Sequence, residues 1–218
     1  MTRSSIDTSI EKLRNDLAQM ADKTKLQIKN SIDALVNKDG ELAEQVILKD
    51  DILDKSQREI EDKCIRLIAT EQPMAIDLRT VFTISKVTAD LERMADYAVD
   101  IAKITLRLKD EDYIKPLIDI PKMSKIVAEM IIESVDAFTK KDVIKSYRIC
   151  KMDDEVDELY RKVFSELLIM MSKDITIQNR ATQLLFVIKY LERVADHATN
   201  ICEGTIYLVT GEYEALND

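Results

Sequence analysis

The segment DLERMADYAVDIAK begins at Asp90, and YLERVADHATNICE begins at Tyr190; seven of their fourteen aligned positions are identical. In the first, Glu92, Asp96 and Asp100 recur every four residues. On a helix each such step drifts only about 40°, so the three carboxylates share one face. Glu192, Asp196 and Asn200 repeat the spacing, with an amide in the last place. A second acidic set lies upstream of each segment: Asp50, Asp51 and Asp54 in KDDILDK, and Asp153, Asp154 and Asp157 in MDDEVDE. Like charges four residues apart repel by a few tenths of a kcal/mol (roughly 0.2–0.5) on a helix. A solvated face tolerates that, and Arg93 and Arg58 stand where they can offset Asp96 and Asp54. The alternative is a bound cation, which turns repulsion into coordination. Both halves keep the arrangement on two helices although their other residues have diverged, which favours the cation. Oxygen donors of this kind suit hard or borderline ions such as Mg²⁺, Ca²⁺, Mn²⁺ or iron. His197 is the only histidine, so the Glu-x-x-His pairs of ferritin-like di-iron bundles are absent. His197 is expected to be hydrogen-bonded at a surface or interface rather than a ligand.

Long helices must position these residues. Three glycines and three prolines in 218 residues leave few breaks, and apolar residues recur at three-and-four spacing almost throughout. That predicts an all-α chain. Six helices are expected: Ser5–Lys38, Glu41–Thr70, Met74–Leu108, Lys122–Lys140, Val143–Lys173 and Ile175–Val209. Gly40 suits a left-handed cap after the first. Pro73 breaks the chain before the third, and Pro116 and Pro121 bracket a connector. Three helices followed by three more read as a tandem repeat of two similar three-helix bundles, residues 1–112 and 113–218. Helices of about 30 residues are roughly 45 Å long, so the molecule is expected to be elongated. On the third helix, Ile84, Val87, Leu91, Met94, Ala95, Ala98 and Ile101 form the buried stripe, and the acidic residues point largely away from it.

Composition narrows the function classes. The net charge of −9 disfavours a nucleic-acid partner. The longest runs of aliphatic and aromatic residues, LLIMM and LLFVI, are far short of the roughly 20 that a transmembrane helix needs. The polar, periodic start has no signal-peptide core, so a cytoplasmic protein is expected. Cys64, Cys150 and Cys202 are widely spaced and read as small buried residues, not a disulfide framework. No Gly-rich phosphate loop or nucleophile motif occurs. A carboxylate-bridged metalloenzyme remains an alternative to a binding protein, and so does a plain structural bundle.

At DLERMADYAVDIA, YLERVADHATNICE, the QPMAIDLR that precedes the first, and the two DD..D segments, the chain resembles the PhoU family of phosphate-signalling proteins. The resemblance covers nearly the whole chain. It implies two similar three-helix bundles carrying E/D-x-x-x-D motifs, which in some members bind multinuclear metal clusters at the surface. Carried over, the first site is Asp50, Asp54, Glu92, Asp96 and Asp100; the second is Asp153, Asp157, Glu192, Asp196 and Asn200. The ions implied are divalent or iron cations (iron, manganese, magnesium, zinc or calcium). The neutral Asn200 implies weaker binding at the second site. The resemblance further implies a non-enzymatic negative regulator of the phosphate-starvation response. It would link the ATPase subunit of the phosphate ABC transporter to a membrane sensor kinase. A homodimer, cytoplasmic and peripheral to the inner face of the membrane through its partners, is expected. An accessory of a different phosphate carrier is the nearby alternative. IDLR at Ile76–Arg79 is matched only by IQNR at Ile177–Arg180, which leaves Arg79 between helix packing and partner binding.

Overall fold

A computed structural model describes residues 3–212 and 214–216. These are helical apart from short connections, with no strand among the described residues. The helices are α1 (Arg3–Asn37), α2 (Gly40–Leu48), α3 (Asp50–Glu71), α4 (Ile76–Leu108), α5 (Asp119–Lys140), α6 (Val143–Lys173) and α7 (Gln178–Thr210). The six-helix plan holds, with the second helix divided in two. The 35 residues of α1 make a rod of about 52 Å.

The chain leaves α1 without using Gly40 as its cap. Lys38 takes the left-handed conformation instead. Its N–H reaches Leu35 O, and Asp39 N–H reaches Ala34 O, a Schellman closure. The Asp39 side chain then accepts from Leu42 N–H and starts α2, which Gly40 opens. The second half repeats the device. Lys141 is left-handed, Lys141 N–H and Asp142 N–H reach Phe138 O and Ala137 O, and Asp142 caps α6 through Lys145 N–H.

The expected helix Glu41–Thr70 breaks at Lys49. Gln27 of α1 is buried, and its Nε2 donates to Val46 O at 3.1 Å. That carbonyl is the one an unbroken helix reserves for the N–H of Asp50, so a side chain has entered the ladder. The break gives α3 its own N-terminus, with Asp50 and Asp51 in the first turn, where the helix dipole favours acids. No such break occurs in α6. At the other end of the connector, Pro121 does not stop a helix. It lies within the first turn of α5, where a missing N–H is harmless.

Each half places its second helical segment on the flank. α3 packs on α1 and α4, and α6 packs on α5 and α7. The centre joins the halves: α1 lies against α5, and α4 against α7. One continuous apolar cluster runs through all four central helices and both flanks. α4 and α7 cross antiparallel and are related by an approximate exchange of residue n with n+100. The same contact is thus drawn twice. Tyr97 stacks on Tyr190 at 5.5 Å, and in the equivalent place His197 Nδ1 meets Asp90 Oδ1 at 2.8 Å. An arginine closes each end of the seam. Arg79 lies over the Tyr207 ring at 5.3 Å; Arg180 donates to Asp112 O at 3.1 Å and pairs with Glu111 at 3.4 Å. Arg79 thus packs across the α4–α7 seam. Cys64 and Cys202 are buried, Cys150 is half-buried, and all three are free thiols; burial pushes Cys64 up to about 11. No helix among the described residues is long and apolar enough to cross a membrane.

Candidate functional site

The first acidic set forms where α3 meets α4. Asp50 and Asp54 come from α3, and Glu92 and Asp96 from α4. All four are partly buried rather than fully solvated. Their helices are anchored by Leu53 on one side and Leu91, Met94 and Ala95 on the other, each buried in the core. This anchoring brings the acids together one residue off the packed stripe. Burial first, then the Asp96 and Asp54 charges, raises the Asp50 carboxyl above its usual range, with Lys103 partly offsetting them. Burial and Asp96 raise Glu92 likewise, with smaller contributions from Asp54 and Asp50. Arg58 meets Asp54 at 3.5 Å, and Arg93 meets Asp96 at 3.1 Å. Asp100 is placed differently. It accepts from Lys103 Nζ at 3.0 Å, and its charge acts on the Tyr190 phenol of α7.

The second set repeats the first between α6 and α7. Asp153 and Asp157 face Glu192 and Asp196. Arg161 meets Asp157 at 3.9 Å, and Arg193 meets Asp196 at 3.6 Å. These are the same ion pairs at the equivalent positions. One cation is added: Lys189 lies 2.6 Å from Glu192 Oε2, where the first half has Ala89. Burial, then Asp157, Asp196, Glu192 and Asp154, push the Asp153 carboxyl up to about 7. Its Oδ1 is buried and has no hydrogen-bond partner. Burial and Glu192 raise Asp196 as well, against Arg193 and Lys189. Asn200 is exposed and lines a groove on the α4–α7 seam beside Asp90.

As donors, these residues fit a hard cation: carboxylates only, partly desolvated, mutually repelling, with the buried Asp153 Oδ1 unpartnered and the buried Glu192 Oε2 met only by the Lys189 charge. As they stand, no three acidic, histidine or cysteine side chains among the described residues converge on one ion position. Arg58, Arg93, Arg161, Arg193 and Lys189 engage several of the oxygens instead. His197, bound to Asp90, is the expected interface histidine. Sequence reasoning missed Lys189, although its spacing three residues before Glu192 was a readable signal.

The doubled architecture has close counterparts. The PhoU domain model matches residues 17–105 and 120–205, once in each half. A phosphate-specific transport system accessory protein PhoU homolog from Clostridium acetobutylicum is 47% identical over 219 residues, covering 100% of both chains. A PhoU homolog 2 of the same description from Thermotoga maritima is 38% identical over 191 residues, 87% of this chain and 81% of that one. The crystal structure of PhoU from Pseudomonas aeruginosa superimposes with a TM-score of 0.89 at 32% identity, covering 94% of this chain and 99% of that chain. The phosphate transport system regulatory protein PhoU from Streptococcus pneumoniae gives 0.89 and 32%, covering 96% and 99%. With one domain match per half and full-length relatives at this identity, the chain belongs to the PhoU family.

Proposed function

We propose that this protein is an accessory regulator of phosphate uptake that represses the phosphate-starvation response when phosphate is plentiful. It acts in the cytoplasm as a homodimeric helical adaptor, without catalysis of its own, between the ATPase subunit of a phosphate ABC transporter and a membrane sensor kinase. Relatives described as accessory to phosphate-specific transport support the transport link. Metal binding at the two acidic sets belongs to the same reading. The observation that carries it is the fourfold carboxylate arrangement written twice, with matching arginines, at positions where burial makes uncompensated charge costly. A divalent or iron cation would supply the charge compensation that the arginines and Lys189 leave incomplete, above all at Asp50 and Asp153. Asp50, Asp54, Glu92 and Asp96 would hold it in one half, and Asp153, Asp157, Glu192 and Asp196 in the other. Asp100 and Asn200 stand at the edge of these sets.

Two measurements test the proposal. Deleting the gene should derepress a phosphate-starvation reporter in rich phosphate; unchanged output counts against the regulatory role. A variant with Glu92→Ala, Asp96→Ala, Glu192→Ala and Asp196→Ala should keep its helical circular dichroism and lose most bound metal. Unchanged metal content by elemental analysis removes the metal half of the reading and leaves the regulatory half standing.

A further inference from the structure

A groove of about 380 Å³ opens on the seam between the first half of α4 and the last half of α7, a volume within the range of small-ligand sites. Phe82, Lys86 and Asp90 line one wall, and Asn200, Glu203 and Tyr207 the other. Between them lies Gly204, inside a helix where glycine costs about 1 kcal/mol relative to alanine. A Cβ there would sit 3.3 Å from Thr83 Cγ2.

The internal repeat supplies a comparison, because the same place exists at the other end of the seam and is filled. There Ile104 replaces Gly204 and is only 2% exposed. Tyr190 replaces Asp90 and stacks on both Tyr97 and Phe186, at 5.5 and 6.2 Å. Lys103 and Arg107 stand where the groove has Glu203 and Tyr207. Arg107 reaches across the seam to Gln183 at 3.2 Å. Position for position, the open copy holds Lys86, Asp90, Asn200, Glu203 and Tyr207 where the filled copy holds Phe186, Tyr190, Asp100, Lys103 and Arg107: one cation and two carboxylates stand in place of two cations and one carboxylate, and the guanidinium that bridges the helices is gone. Both groove rings already present a face to a cation: Lys86 lies over Phe82 at 5.1 Å, and Arg79 over Tyr207 at 5.3 Å. Phe82 nevertheless remains 54% exposed. Asp90 meets His197 through one oxygen, and Glu203 accepts from Leu216 N–H through one oxygen.

We propose that this groove is a docking site for an arginine side chain presented by a basic segment of a partner protein. The guanidinium stacks on Phe82 and pairs with Asp90 and Glu203, taking in trans the place that Arg107 fills in cis at the other end. Arginine suits the site better than lysine, because its planar fork both stacks and pairs. The groove contains none of the eight acids brought together at the α3–α4 and α6–α7 pairs, so its test is independent of metal binding and of the regulatory proposal.

The test follows backbone amide shifts of the full chain in ¹⁵N–¹H spectra during titration with a blocked Gly-Arg-Gly tripeptide. Saturable shifts are expected around Phe82, Asn200, Gly204 and Tyr207. The citrulline analogue, which keeps the shape and removes the charge, should bind about tenfold more weakly. Phe82→Ala and Glu203→Gln change accessible side chains and should each weaken binding about fivefold with circular dichroism unchanged. Gly204→Ile, which installs the residue of the filled copy, should abolish the shifts. Equal binding of the citrulline peptide overturns the proposal. So does the absence of saturable shifts, and so do shifts elsewhere that the two accessible variants leave intact.

Discussion

Asp153 and Asp50 occupy equivalent places in the two halves, yet only Asp153 is driven to about 7. Lys103 partly offsets the charges around Asp50; the equivalent residue of the second half is Glu203. A carboxyl that titrates near 3.8 when unfolded and about 7 when folded binds more protons in the folded state between those values. Stability is therefore lost as pH rises through that window. Asp153→Asn should stabilise the metal-free protein above pH 7, by about 1–2 kcal/mol after solvent screening, and leave it nearly unchanged near pH 4. Urea unfolding at both pH values checks this; an equal effect at both removes titration as the cause. Lys189 gives a second prediction. It neutralises Glu192 only in the second half, so Lys189→Ala should raise metal affinity there severalfold, by calorimetry, without changing the first site. In the sequence Asn200 marks the inequality of the two sets, and Lys189, opposite Ala89 and three residues before Glu192, marks it as well. The larger asymmetry lies in Lys189 and in the Lys103–Glu203 exchange, whose effect depends on which helices face each other.

At the scale of the element, periodicity placed every long helix, and α6 coincides with the expected Val143–Lys173. What it missed were features set by contacts between helices. The break at Lys49 depends on Gln27, 22 residues earlier, reaching Val46 O, and no local pattern announces that. Glycine takes the left-handed conformation most readily, which points to Gly40 as the residue after α1. The chain uses Lys38, and again Lys141; the repeated Lys-Asp pair before each second helix was the legible sign. Left-handed backbone costs a non-glycine residue about 1 kcal/mol. Lys141 is exposed and makes no ion pair among the described residues, unlike Lys38, which lies over Tyr113 and meets Asp112. Lys141→Gly should thus stabilise the protein by roughly 0.5 kcal/mol, part of the gain being offset by greater freedom of the unfolded chain. A lower denaturation midpoint in the variant would count against this account of the cap.

For the whole molecule, the doubled motif disclosed the repeat but not how far its halves merge. Each half read separately has a buried face for its own three helices. The structure spends the outer stripes of α1, α4, α5 and α7 on joining the halves into one core. The seam carries the Tyr97–Tyr190 stack, the Asp90–His197 pair and the arginine contacts at each end. Residues 1–112 alone would therefore leave the α1 and α4 faces, with Tyr97 among them, open to water. Exposed apolar surface of that extent drives association. Because the two halves are related by an approximate twofold exchange, a second copy of residues 1–112 presents the surface that the missing half supplied. An isologous dimer is the closed way to bury it. The full chain should accordingly unfold in a single cooperative transition. Residues 1–112 expressed alone should be dimeric by sedimentation, with a midpoint that falls on dilution. A folded, monomeric fragment with a concentration-independent midpoint would show that each bundle closes its own core, and that the central four-helix contact is a docking of finished domains.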